Sequence, residues 1–128
     1  MLKCALFLLC ALHIVYSKIS LSRFNDPKAQ EKIASCTNLY KLELGDLLEN
    51  LEKGNGDENM KKYNMCLYNA VGAVDGNNKA NREVITGYLK LFYPENFQEI
   101  LTKCIKDVVI NAEEAYQMSL CTNNLVKN

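Results

Sequence analysis

Apolar side chains recur at three- and four-residue steps through most of this chain, the spacing that lines one face of an α-helix. Ala29, Ile33, Cys36 and Tyr40 make the first such stripe, opened by Asp26-Pro27, an N-cap residue followed by proline at the first helical position. Leu44, Leu47, Leu48 and Leu51 make the second, with Asp46, Glu49 and Glu52 turned away from it. Gly54-Asn55-Gly56 then breaks the pattern. Asp57 is placed to cap a third helix bearing Met60, Tyr63, Leu67, Ala70, Val71 and Val74. Asp75-Gly76-Asn77-Asn78 reads as a turn. It carries a hairpin signal, but no alternating strand flanks it, so a helix–helix connection is expected. A fourth helix is expected from about Arg82 to Phe92, weakened at Gly87 by about 1 kcal/mol relative to alanine, and Pro94 ends it. Asn96-x-x-Glu99 and Asn111-x-x-Glu114 are capping boxes that open a fifth helix (Phe97 to Val108) and a sixth (Ala115, Met118, Cys121).

The expected fold is therefore all-α, with about six short amphipathic helices in one domain. Helices this short do not make a long bundle and must cross at large angles around a common centre. Periodicity does not say whether that centre is filled or hollow; by pattern alone, a plain core is the commoner outcome.

The N-terminus has a different character. Lys3 precedes the apolar run Cys4 to Leu12, and Val15 and Ser17 are placed as in a signal-peptidase site. Residues 1–17 are expected to be a secretory signal peptide, and residues 18–128 a single secreted domain. The run is shorter than the roughly 20 residues that span a bilayer, so membrane insertion is not expected.

Removal of the signal changes the inventory. Residues 18–128 carry 14 basic and 15 acidic side chains, with no basic stripe, which argues against nucleic acid as a partner. His13, the only histidine, lies in the signal. Its loss takes away the usual general base, nucleophile activator and zinc ligand. Glu113 and Glu114 are adjacent, but neighbours on a helix point about 100° apart and do not converge on one substrate. No nucleophile elbow, Walker loop or dinucleotide fingerprint occurs. An enzyme is not expected, nor is any cofactor or metal. Four cysteines remain, Cys36, Cys66, Cys104 and Cys121, and an even count in a short secreted chain reads as two disulfides. Three pairings are open at this point.

The cysteine spacing resembles that of the insect odorant-binding proteins, secreted helical carriers of the pheromone-binding type. That family usually has six cysteines. Lys62 stands where its second would be, three residues before Cys66, and Ala112 where its fifth would be, eight residues before Cys121. In the family those two pair with each other, so their joint absence leaves no orphan thiol. The chain is thus similar to the four-cysteine, Minus-C subclass. The run Lys61 to Leu67, then Val71-Gly72 and Asp75-Gly76-Asn77, also looks like the family's third helix and following turn. The resemblance implies the bridges Cys36–Cys66 and Cys104–Cys121, and a central apolar cavity.

The expected function is reversible carriage of a small apolar or amphiphilic ligand, such as an odorant, pheromone or lipid. Helix faces nominate Leu48, Leu67, Val71, Ile85, Tyr88, Leu89, Phe97, Ile100, Leu101, Met118 and Leu125 as its contacts. Tyr88 is the expected polar handle and Met118 an adaptable wall. A membrane receptor is at most an indirect partner, and the unit is a monomer or weak homodimer. The alternatives are a non-sensory secreted carrier of the same fold and a solid-core helical interaction protein.

Overall fold

The computed structural model describes residues 27–106 and 110–127. The signal segment, the Asp26 cap and Val108 lie outside the described residues. Six helices follow one another: α1 (Pro27–Tyr40), α2 (Leu44–Lys53), α3 (Glu58–Ala70), α4 (Arg82–Phe92), α5 (Phe97–Cys104) and α6 (Ala112–Lys127). None is long and apolar enough to cross a membrane.

Local chemistry explains most of the boundaries. The Asp57 carboxylate accepts from the Met60 amide at 2.9 Å and starts α3; the Asn81 side chain does the same for Val84 at 3.2 Å in α4. Gly54 ends α2 in the left-handed conformation (φ 71°), with its N–H donating to the Asn50 carbonyl. Asn111 and Glu114 form the reciprocal box ahead of α6, each side chain accepting from the other's amide at 2.8–2.9 Å.

Three local expectations are corrected. Helix α5 ends at Cys104, with Ile105 already in extended backbone, so it stops short of the expected span to Val108. The Asn96 side chain makes no capping bond, and Glu99 pairs instead with Lys103 at 2.8 Å, one turn on. The third helix stops at Ala70, short of Val74. Val74 forms an antiparallel bridge with Ala80 across the turn, so the hairpin signal at Asp75 expresses itself as one isolated bridge. The Asp75 carboxylate organises that turn by accepting from the amides of Asn77 and Lys79 at 2.8 and 2.9 Å.

Helix α3 is the centre of the molecule, packing against α1 on one side and α6 on another. Its buried residues, Met60, Tyr63, Asn64, Met65, Leu67 and Ala70, therefore spread over more than one face. Cys36–Cys66 bridges α1 to α3 and Cys104–Cys121 bridges α5 to α6, as the resemblance implied. The α2–α3 loop is fastened to α6 by Tyr116, whose hydroxyl accepts from the Gly56 amide at 2.8 Å and donates to Asn50. Only glycine fits there, because a Cβ on Gly56 would lie 2.6 Å from the Tyr116 ring.

Three apolar clusters result, not one. The first joins α1, α2, α3 and Tyr116; the second centres on Ile85, Leu89, Tyr93 and Ile100; the third holds Met65, Val74, Ile110, Ala115 and Met118.

The titrating groups give a pH dependence with a defined sign. Amides of Lys79 and Asn77 hold the Asp75 carboxyl below its ordinary 3.8. The Lys61 ammonium, with Gln117, holds Glu113 below 4.5, and Glu113 in turn raises Lys61 above 10.5. Depressed carboxylates contribute stability above their unfolded values and lose it as pH falls through the folded ones. A raised lysine contributes below its unfolded value and loses it as pH rises through the folded one. The thermal midpoint, followed by circular dichroism, is expected to be level from about pH 5 to 9 and to fall on both sides. A maximum near pH 6 with steep flanks would contradict this assignment.

Candidate functional site

Among the described residues, two apolar cavities, each partly open to the outside, lie between the clusters. One cavity of about 220 Å³ is walled by Leu44, Leu47, Leu48 and Leu51 of α2, with Ile33 of α1 and Tyr93 beyond α4. Asn64, Leu67 and Tyr68 of α3 and Ser119, Thr122 and Asn123 of α6 complete it. A second, of about 200 Å³, is walled by Ile85, Tyr88, Leu89 and Phe92 of α4, with Ala73, Ile105 and Met118. Tyr68 and Val71 line both, so the two cavities are neighbours across that pair. Each exceeds the roughly 150 Å³ that suffices for a benzene-sized guest, and only the two together reach the roughly 300 Å³ at which sites for larger ligands begin.

The walls are mainly hydrocarbon and aromatic ring. Tyr88 stacks parallel on Phe92, with 6.3 Å between centroids. Among the described residues that line the two cavities, none carries a formal charge.

Polar atoms gather on the α3–α6 side of the first cavity. The Ser119 hydroxyl donates to the Asn64 side-chain carbonyl at 3.1 Å. With that proton committed, the Tyr68 hydroxyl, 2.7 Å from Ser119 Oγ, is the donor to it. Desolvation pushes the Tyr68 phenol above its ordinary 10.0, against the lowering effect of the Ser119 bond, so it stays neutral at physiological pH. Thr122 turns its hydroxyl back onto the Met118 carbonyl at 2.9 Å. Asn64 is 1% exposed and Asn123 is 3% exposed, and the side-chain nitrogen of each lacks a hydrogen-bond partner in the protein. A buried donor left in that state costs about 1–3 kcal/mol.

The residues nominated by helix faces divide between cavity and core. Leu48 and Leu67 line the first cavity; Ile85, Tyr88, Leu89 and Met118 line the second; Val71 lines both. Phe97, Ile100, Leu101 and Leu125 line neither. Ile100 is fully buried in the second cluster, and the other three pack against that cluster partly buried.

Sequence reading passed over Asn64, Tyr68, Ser119 and Asn123. The signal that was present is their spacing. Asn64 and Tyr68, and likewise Ser119 and Asn123, stand four apart, one turn up the same helix face, among apolar neighbours such as Met65, Leu67, Met118 and Leu120.

Searches of curated proteins and of solved structures returned no match. A family model does match. The PBP/GOBP model covers residues 20–124, which takes in both bridges with their four cysteines and every described residue that lines the two cavities. With that coverage, and with six helices and two disulfides in the structure, the chain belongs to the PBP/GOBP family, whose members bind small odorant and pheromone ligands.

Proposed function

We propose that this protein is a secreted carrier that reversibly binds a small apolar or amphiphilic molecule in the paired cavities around Tyr68 and Val71. One observation carries the reading: two uncharged, mainly apolar cavities adjoin inside a domain of this family. The driving force is removal of hydrocarbon from water, roughly 0.8 kcal/mol per methylene before ordering costs. A guest of about ten carbons then reaches roughly micromolar affinity. Binding needs no chemistry on the guest.

The rest of the reading follows the sequence. Residues 1–17 direct secretion and are removed, and Lys18–Asn128 is the working unit, a monomer or weak homodimer. A Minus-C carrier is the subclass we infer, a reading supported by the four cysteines of that unit, all of them bridged. Any receptor meets the ligand through this carrier and not as a partner built into the fold.

The test is titration of a fluorescent apolar probe into the oxidised protein comprising residues 18–128. Saturable uptake displaced by decane and 2-decanone is expected; absence of uptake would sink the carrier reading. The same titration across pH gives a second expectation. Among the described residues no charged group lines the cavities, and residues 18–128 contain no histidine. Probe affinity should stay within about twofold from pH 7.5 to 5.5, since nothing with an ordinary pKa near 6.5 is there to respond. A sharp reversible drop centred near pH 6 would refute it.

A further inference from the structure

The two buried amides are the feature that a purely apolar carrier does not explain. Asn64 of α3 and Asn123 of α6 are almost fully buried, line the same cavity, and each has a buried side-chain N–H2 without an acceptor in the protein. Buried polar atoms are nearly always hydrogen-bonded, so two orphan donors on one cavity wall indicate an acceptor supplied from outside the chain. Their placement is coherent. Ser119 bonds Asn64 and stands one turn before Asn123 on α6, so both amides belong to one polar strip on an otherwise apolar wall.

The direction of the hydrogen bonds narrows the chemistry. The protons of Tyr68 and Ser119 run inward, phenol to hydroxyl to the Asn64 carbonyl, and are used up within the protein. Thr122 spends its proton on the Met118 carbonyl. The buried side-chain atoms left without a partner on this wall are the two amide N–H2 groups, which donate and do not accept. The absence of a charge on the lining gives no support for a carboxylate or ammonium guest.

Building on the carrier reading, we infer that the first cavity selects apolar ligands bearing an uncharged acceptor, a ketone, aldehyde or ester oxygen, which Asn64 and Asn123 hold by their side-chain N–H groups. The hydrocarbon remainder lies along Leu47, Leu48, Leu51 and Leu67 and toward Val71. Selection arises because a hydrocarbon guest leaves both donors unsatisfied, whereas a carbonyl satisfies them.

The probes are decane and 2-decanone, of equal chain length, measured by displacement of the fluorescent probe. Asn123→Leu is the informative variant, because it removes an orphan donor of similar size without breaking a hydrogen bond observed in the protein. Affinity for 2-decanone is expected to fall about tenfold, while decane stays within about twofold. Unchanged 2-decanone affinity would overturn the inference and leave the amides to trapped water. A second measurement does not depend on a variant. In the nitrogen-edited NMR spectrum of the unaltered protein, 2-decanone should move the side-chain N–H2 resonances of Asn64 and Asn123, and decane should not. Equal shifts from both guests would overturn the inference while the carrier reading stands. Failure of both guests to bind would instead strike the carrier reading itself.

Discussion

Replacing Cys104 and Cys121 by serine is expected to weaken probe binding more than replacing Cys36 and Cys66, although the stability losses should be similar. The bridges span 17 and 30 residues. Loop closure assigns them about 3 and about 3.5 kcal/mol, a gap too small to separate the variants. Each loss is large against the roughly 5–15 kcal/mol of a small domain. Location separates them instead. Cys121 lies among Met118, Ser119, Thr122 and Asn123, which form the α6 wall of both cavities. The start of α6 is held independently by Tyr116 on Asn50 and Gly56, and by the Lys61–Glu113 ion pair. Beyond those anchors, the Cys104 bridge is the covalent tie on the half of α6 that faces the ligand. Helix α1, tied by the other bridge, supplies only Ile33 to the first cavity's lining and nothing to the second's. Probe titration at a temperature where circular dichroism shows both variants folded decides the matter; equal losses of affinity would refute it.

Val71→Phe should abolish most probe binding with little change in stability. Val71 is the residue after α3, at ordinary backbone angles (φ −94°), and it borders both cavities. A phenyl ring there occupies space that is empty in both directions. Overpacking a filled core costs about 1–3 kcal/mol, but a ring grown into a void meets fewer atoms and regains dispersion contacts. The expected result is a loss of at least about tenfold in affinity, equivalent to about 1.4 kcal/mol, with a thermal midpoint within a few degrees of the unaltered protein. Ile100→Ala is the contrasting control. Ile100 has no exposed surface and lines neither cavity, so its truncation should cost about 2–5 kcal/mol of stability and leave the affinity of the still-folded fraction nearly intact. Similar binding losses in both variants would mean that the ligand sits elsewhere.

Much of this architecture was legible along the chain because helices are local objects. A stripe at three- and four-residue steps, a capping Asp57, and glycines at 54 and 56 act over a few residues, and all mark elements where the structure has them. The Asn111–Glu114 box forms as its spacing suggests, while the same spacing at Asn96–Glu99 does not, because Glu99 is taken by Lys103. A capping pattern states what two side chains are able to do; a competing partner decides whether they do it.

The cavities belong to the other category. Leu67 and Ile100 sit on equally apolar helix faces, yet one borders a void and the other is packed solid. That distinction depends on how neighbouring helices meet, which no periodicity encodes. Phe97, Leu101 and Leu125 went with Ile100 for the same reason: α5 and the end of α6 close on each other around the Cys104–Cys121 bridge. The polar strip was harder still. On an isolated helix, Asn64, Ser119 and Asn123 read as solvent-facing, since an unpartnered amide is costly to bury. They are inside because α3 is covered on two sides, by α1 and by α6, leaving little of it for water. The chain's pattern therefore carries the helices and its cysteine count the existence of two bridges, both short-range or countable properties. The packing of six helices against one another carries the hollow, its division at Tyr68 and Val71, and the two inward amides, because burial is a property of the neighbours and not of the residue.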